Sequence, residues 1–301
     1  MNIAIISLGC PKNQVDADVF CHALIKAGHQ TVADPEQADI IIVNTCGFIQ
    51  SAKEEAIENI LMACQYKQQN PNLKVIVTGC LAERYKTQIV SEMPEVDAVV
   101  GIGSNAALPA IVERLTANGA GQVESYGPKC DMELGGARVI STPRHYAYLK
   151  ISEGCDRKCS YCAIPIITGR HISKPMEEIL DEVRYLVSQG VKEFQVIAQE
   201  LTYYGIDRYK KQMLPELIER ISDIPGVEWI RLHYAYPAHF PTDLFRVMRE
   251  RDNVCKYMDI ALQHISDNML QLMRRQVSKE DTYRLIEQFR KEVPGIHLRT
   301  T

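Results

Sequence analysis

The chain has 301 residues, is 46% hydrophobic and 24% charged, and carries a net charge of −4. That fits a globular protein of about two domains and argues against broad adhesion to nucleic acid. No run of about 18 apolar residues occurs, which excludes a membrane-spanning helix, and the opening MNIAIISLGCPKN lacks the basic start of a secretory signal. Ten cysteines without an export signal point to a reducing cytoplasm, where clustered thiols hold metal or do chemistry rather than form disulfides.

In chain order, the first half alternates short apolar runs with longer helical patterns. NIAIIS precedes a helical stretch over 15–27, DIIIVN one over 51–69, KVIVT one over 83–93 and DAVVG one over 105–117. Continuous apolar strands separated by amphipathic helices mean a parallel sheet covered on both faces. Cys10, Cys46 and Cys80 each follow one of the first three strands, in SLGC, VNTC and VTGC. The carboxyl ends of parallel strands share one edge, and that edge is where such folds bind ligands. Gly9 and Gly79 precede two of these cysteines and Gly47 follows the third, permitting tight turns. The alternative, three small apolar residues filling a sheet edge, is weak because a turn position has no need of a thiol. We read residues 1–120 as the first domain and 121–142, glycine-rich and without periodicity, as a linker.

The second half repeats the rhythm over residues 143–301. Strand-like runs are YAYLKIS, KEFQVIAQ, EWIRLHYAY, YMDIALQ and HLRTT. Helical patterns cover 176–188, 214–224, 242–250, 266–275 and 279–293, making a (β/α) series of barrel type. The fifth run ends with the chain, so the barrel reads as truncated. GCDRKCSYC follows the first strand and places Cys155, Cys159 and Cys162 at the mouth of that barrel. Three thiolates leave one position of a cluster open, whereas zinc needs a fourth ligand such as His145 or His171. Spacing alone leaves both readings standing. Cys21, Cys64, Cys130 and Cys255 fall on helices or in the linker with no partner spacing, and read as ordinary buried thiols.

The C-x-x-x-C-x-x-C loop on a (β/α) barrel resembles the radical S-adenosylmethionine (SAM) enzymes. The preceding Cys10/Cys46/Cys80 domain narrows the resemblance to the methylthiotransferase family. The match runs through SLGCPKNQVDAD, VNTCGFI, VTGCLAERY, SEGCDRKCSYCAIPIITGR, VIAQELTYYGID, RLHYAYP and MDIALQHISDNMLQLMRR. Pro11-Lys12-Asn13 favours the branch acting on a ribosomal protein over the tRNA-modifying branch, which usually reads Gln-Met-Asn there. Ala17-Asp18 and Thr168 depart from the family pattern, which has Ser-Glu and arginine at those places.

The resemblance implies an N-terminal Rossmann-like parallel α/β domain followed by a radical SAM (β/α) partial TIM barrel, and a terminal TRAM domain that this chain lacks. It implies two 4Fe–4S clusters, the first on Cys10, Cys46 and Cys80, the second, SAM-binding, on Cys155, Cys159 and Cys162. Two SAM molecules per turnover and a sulfur donor would complete the cofactors. Tyr161, Gln199, Glu200, His233, Gln263 and Arg299 are the candidate SAM contacts. The target C–H bond is unactivated, so the cofactors carry the chemistry and no side chain is assigned as acid or base. The implied reaction is methylthiolation of the β-carbon of an aspartate in protein twelve of the small ribosomal subunit. Its implied partners are that protein, on or off the ribosome, and an electron donor such as a flavodoxin, with no membrane and no strong nucleic-acid binding by this chain. A tRNA (adenosine) methylthiotransferase of the same family, a zinc-binding module and an iron–sulfur electron carrier are the competing readings.

Overall fold

The structure, a computed structural model, describes residues 1–117, 121–129 and 134–300. Cys130, Gly119 and Thr301 lie outside the described residues. The chain divides into two compact units, Met1–Ser141 with Ile166–Thr168, and Thr142–Pro165 with Gly169–Thr301.

The first unit is a six-stranded parallel sheet: β1 (Asn2–Ser7), β2 (Gln30–Val32), β3 (Ile40–Thr45), β4 (Lys74–Gly79), β5 (Ala98–Val100) and β6 (Val123–Ser125), in the order β2-β1-β3-β4-β5-β6. Strand β3 is buried throughout because it lies inside the sheet with helices on both faces. Its side chains alternate between two cores. Ile41 and Val43 pack with Ala56, Ile60 and Ala63 on one face. Ile40 and Ile42 pack with Phe20, Leu24, Ile111 and Val112 on the other. Helix α1 (Pro11–Lys26) begins directly after Cys10, with proline at its first position, where no amide hydrogen is needed.

Three local expectations are corrected. The helix expected over 83–93 is two short ones, Cys80–Arg84 and Lys86–Glu92, broken at Tyr85. Gln30–Val32 and Val123–Ser125, which carry little apolar pattern, are edge strands that the sequence periodicity does not reveal, the second within the stretch read as linker. Cys255 sits on a strand, not on a helix or in a linker.

The second unit holds a five-stranded parallel sheet built from β7 (Tyr146–Lys150), β10 (Glu193–Ile197), β11 (Trp229–Ala235), β12 (Val254–Ile260) and β13 (His297–Thr300). The order is β13-β12-β11-β10-β7. Between β7 and β10, β8 (Ser152–Glu153) and β9 (Ile172–Ser173) form a short antiparallel ladder. Along β7, β10 and β11 one set of side chains is buried: Ala147, Leu149, Phe194, Val196, Ile230 and Leu232. Helix Met176–Ser188 packs on β7 with an apolar stripe of Ile179, Leu180, Val183 and Leu186. The alternate set is polar and includes Tyr148, Gln195, Arg231 and His233.

Candidate cluster sites

In the first unit, β1, β3 and β4 are adjacent strands, in register Ser7↔Asn44 and Thr45↔Gly79. Cys46 and Cys80 directly follow their strands, and Cys10 follows β1 by three residues. The turn at Gly9 has φ +88°, and a Cβ there would meet the Cys46 Cβ at 2.5 Å and its Sγ at 2.9 Å. Only glycine lets the first loop pass over the second thiol at this distance.

One buried side chain ties the three turns together. Asn13 Nδ2 donates to the Leu8 carbonyl at 3.0 Å and to the Thr45 carbonyl at 2.9 Å. Its Oδ1 lies 3.7 Å from the Cys80 thiol, which donates to it, and its own carbonyl accepts from Asn44 Nδ2 at 2.8 Å. A neutral amide with donors and an acceptor on one end is suited to bridging backbone carbonyls and a thiol. Burial pushes the Cys46 thiol above its ordinary pKa, and the neighbouring Cys10 adds to that.

In the second unit the cysteine loop runs between β8 and β9. Gly154 opens it at φ +76°, and a Cβ there would collide with the Arg170 backbone. The Cys155 amide donates to the Gly169 carbonyl and the Cys162 amide to the Cys159 carbonyl, at 3.2 and 3.1 Å. Ser160 fastens the loop to the segment at 272–273, its amide donating to the Met273 carbonyl and its hydroxyl to that of Leu272. Burial pushes the Cys155 thiol up to about 12, with Glu200, Cys162 and Cys159 adding to the rise. Burial and Cys159 also raise Cys162, while Arg275 opposes the shift.

The surroundings of this loop are charged and aromatic. Arg157 places its guanidinium on Glu200 Oε2, at 3.1 and 2.9 Å from two nitrogens. Glu200 Oε1 accepts from the Thr202 amide and hydroxyl. Tyr236 lies between two arginines, its ring centroid 4.2 Å from the Arg157 Cζ and 4.1 Å from the Arg275 Cζ. Arg275 Nη1 donates to the Cys159 sulfur at 3.4 Å and to the Tyr161 hydroxyl at 3.2 Å. Sequence reasoning missed Asn13 and Arg275, although both lie within motifs that carry the family resemblance.

The other candidates fall as follows. Glu200 is 2% exposed, with both oxygens engaged as described. Gln199 Oε1 and His233 Nε2 are buried without a hydrogen-bond partner, so each presents a polar atom whose burial calls for a ligand or water. His233 Nδ1 is 3.9 Å from Asp259, which also takes Arg299 at 2.8 Å. Burial holds His233 below its ordinary pKa, with Asp259 opposing. Gln263 adopts a left-handed φ of +72°. Tyr161 is half exposed, at 47%. His145 sits at a tilt against the Tyr146 ring, and His171 Nε2 pairs with Ser173, so neither is drawn toward the cysteines as a zinc ligand would be.

Among the described residues no three Cys, His, Asp or Glu side chains are drawn close enough to hold a metal ion as they stand. The sulfurs sit as free thiols, none in a disulfide, and two of them turn to polar neighbours, Cys80 to Asn13 and Cys159 to Arg275. As a donor set they still fit an iron–sulfur cluster: thiols only, clustered on adjacent turns or one loop, with hydrogen-bond donors beside the second set.

The family model described as Uncharacterized protein family UPF0004 matches residues 2–101, and that described as Radical SAM superfamily matches 149–301. Among curated proteins, Ribosomal protein uS12 methylthiotransferase RimO of Bacteroides thetaiotaomicron is 67% identical over 301 residues, covering 99% of this chain and 66% of the relative. The protein of the same name from Phocaeicola vulgatus is 61% identical with the same coverage. The chain thus spans about two thirds of the length of these relatives. Among solved structures, the radical S-adenosylmethionine methyltransferase TsrM from Kitasatospora setae superposes with a TM-score of 0.68 at 14% identity, over 99% of this chain and 67% of that one. The cobalamin-dependent S-adenosylmethionine radical enzyme OxsB gives 0.64 at 11% identity, over 99% and 48%. At such identities the likeness speaks for the fold alone.

Proposed function

The chain belongs to the radical SAM methylthiotransferase family, and from that premise we propose that it is the cluster-bearing part of an enzyme that methylthiolates an aspartate β-carbon of ribosomal protein uS12. The observation that carries this reading is the pairing of two separate three-thiol sets, one on adjacent strand ends of a parallel sheet and one on a loop following β7. A passive electron carrier closes each cluster with four protein ligands and a structural zinc site also needs a fourth, whereas each set here holds three thiols.

We assign Cys155, Cys159 and Cys162 to a SAM-binding 4Fe–4S cluster and Cys10, Cys46 and Cys80 to a second cluster. When bound, these groups supply the single electron for SAM cleavage and the site from which sulfur is delivered. The protein's own part is positioning. Gly9 and Gly154 let the loops close, Asn13 spans the three turns of the first unit, and Ser160 anchors the second loop. Gln199 and His233 offer buried polar atoms to a ligand. Tyr161, half exposed on the cysteine loop, offers a ring to an adenine. Glu200 acts indirectly, by anchoring Arg157 of the cysteine loop. No helix of the described residues is long and apolar enough to cross a membrane, and we place the reaction in the cytoplasm with a soluble one-electron donor.

The test is mass spectrometry of recombinant uS12 and of bulk tRNA after anaerobic incubation with the reconstituted protein, SAM, sulfide and dithionite. Replacement of one hydrogen on a uS12 aspartate by a methylthio group is the expected result. Modification of tRNA with uS12 untouched would move the protein to the other branch, and SAM left intact by an iron-loaded protein would reject the enzyme reading.

A further inference from the structure

Arg275 is 2% exposed, yet among the described residues no carboxylate lies within salt-bridge distance of it. Arg157, its counterpart across the Tyr236 ring, is 8% exposed and has Glu200 at 2.9 Å. A buried guanidinium is ordinarily paired, because without an anion its desolvation goes uncompensated. The neighbours of Arg275 are the Ala261 carbonyl, the Tyr161 hydroxyl, the face of Tyr236 and the Cys159 sulfur. Tyr236 also donates its hydroxyl to the Arg275 carbonyl, fixing the backbone that carries the charge. Of these groups only the thiol becomes an anion when it ligates iron.

We propose that Arg275 is the counter-charge of the Cys155/Cys159/Cys162 site: it compensates the thiolates, through a charge-assisted hydrogen bond to Cys159, and raises the reduction potential of a cluster held there. This rests on the assignment of that cluster under the proposed function. The physical basis is general. Hydrogen bonds and net charge at the sulfurs set cluster potentials, and a cation beside the site stabilises the state that carries one more electron. Arg275 is thus a positioning and tuning residue, acting through Cys159 and not on the substrate. Its neighbour Arg274, exposed at φ +57°, has no such role.

The test uses the full chain reconstituted anaerobically without SAM, in a Cys10/Cys46/Cys80→Ala background so that one cluster is observed. The midpoint potential is read by EPR-monitored redox titration, with iron content and melting temperature as controls. Arg275→Met is expected to make reduction about tenfold less favourable, or about 59 mV more negative for one electron. Arg275→Lys, which returns the charge without the planar fork, should recover part of that shift, and Arg274→Met should cause none. A potential unchanged in Arg275→Met at equal iron content overturns the proposal. Should Arg275→Met load less iron, Arg275→Lys must load more than it does at a similar melting temperature, and equal loading in the two variants overturns the counter-charge role. Absence of a cluster in the background protein with Arg275 intact would instead reject the cluster assignment.

Discussion

Replacing Asn13 with alanine isolates what holds the first thiol set together. The change removes both amide donors, to the Leu8 and Thr45 carbonyls, and the acceptor for the Cys80 thiol. Thr45 is fully buried, and a buried group left unsatisfied costs about 1–3 kcal/mol. Leu8 is only partly buried, so water replaces much of the bond there. With the small void added, Asn13→Ala should destabilise the first unit by about 3 kcal/mol. The single tryptophan, Trp229, lies on β11 of the second unit, so its fluorescence transition in urea reports that unit and serves as an internal control. Hydrogen exchange at residues 8–10, 45–47 and 79–81 reports the lesion. We expect protection there to fall by about two orders of magnitude, since each 1.4 kcal/mol is tenfold, while the fluorescence midpoint stays in place. Iron bound by a Cys155/Cys159/Cys162→Ala background should fall as well. Unchanged exchange at all three turns would show that the strands alone position the cysteines and that the Asn13 network is incidental.

Further outcomes can be measured independently. Reconstituted protein should carry about eight irons per chain, four for each thiol set. Cys155/Cys159/Cys162→Ala should halve that and abolish reductive SAM cleavage, whereas Cys10/Cys46/Cys80→Ala should keep cleavage and lose sulfur insertion. Stoichiometric zinc in place of iron would contradict both. Gly154→Ala, at φ +76° and against the Arg170 backbone, should prevent loading of the second set while leaving the first loaded, checked by iron content. Asp18 supplies a pH test: burial lifts its carboxyl to about 6 from 3.8, against the Ser141 hydrogen bond and Arg138. An acid with a raised folded pKa contributes stability that is full below about 4 and lost as pH rises through about 6. Asp18→Asn cannot ionise, so its stability relative to the natural protein should rise by at most about 3 kcal/mol between those limits. A constant difference across that range in urea denaturation would refute the assignment.

The parts of the fold visible in the sequence are those where local pattern and burial agree. Ile40–Thr45 is an unbroken apolar run because both faces of β3 are covered, and Met176–Ser188 carries a clear 3.6-residue stripe. The edge strands Gln30–Val32 and Val123–Ser125 are short, and mostly exposed or half-buried, so pairing with a neighbour makes them strands and no periodicity marks them. The break at Tyr85 likewise has no proline or glycine to announce it. At the candidate sites, the cysteines were legible because thiols at strand ends serve no packing need. Their supports were not. Arg275 meets Cys159 across 116 residues of chain and Asn13 meets Cys80 across 67, and an arginine or asparagine in a sequence gives no sign of which distant group it will face.

The two supports differ in kind, and the difference bears on what each set of thiols is suited to do. Asn13 is neutral, so it can fix the spacing of three turns without altering how readily charge accumulates there. Lys12 opposes, without reversing, the rise that burial imposes on the Cys46 thiol. Arg275 brings a full positive charge, buried, against the sulfur of Cys159, where low dielectric makes it count for more than it would in water. On the proposed cluster assignment, the second is therefore the place at which the protein's own charge would stabilise an added electron. The first is built to hold geometry. Electron entry at Cys155, Cys159 and Cys162 and sulfur delivery at Cys10, Cys46 and Cys80 is the division of labour that these supports favour. Grafting a cation beside the first set, by Asn13→Lys, should not exchange the roles: it removes the amide that sets the spacing, and loss of that cluster is the outcome expected.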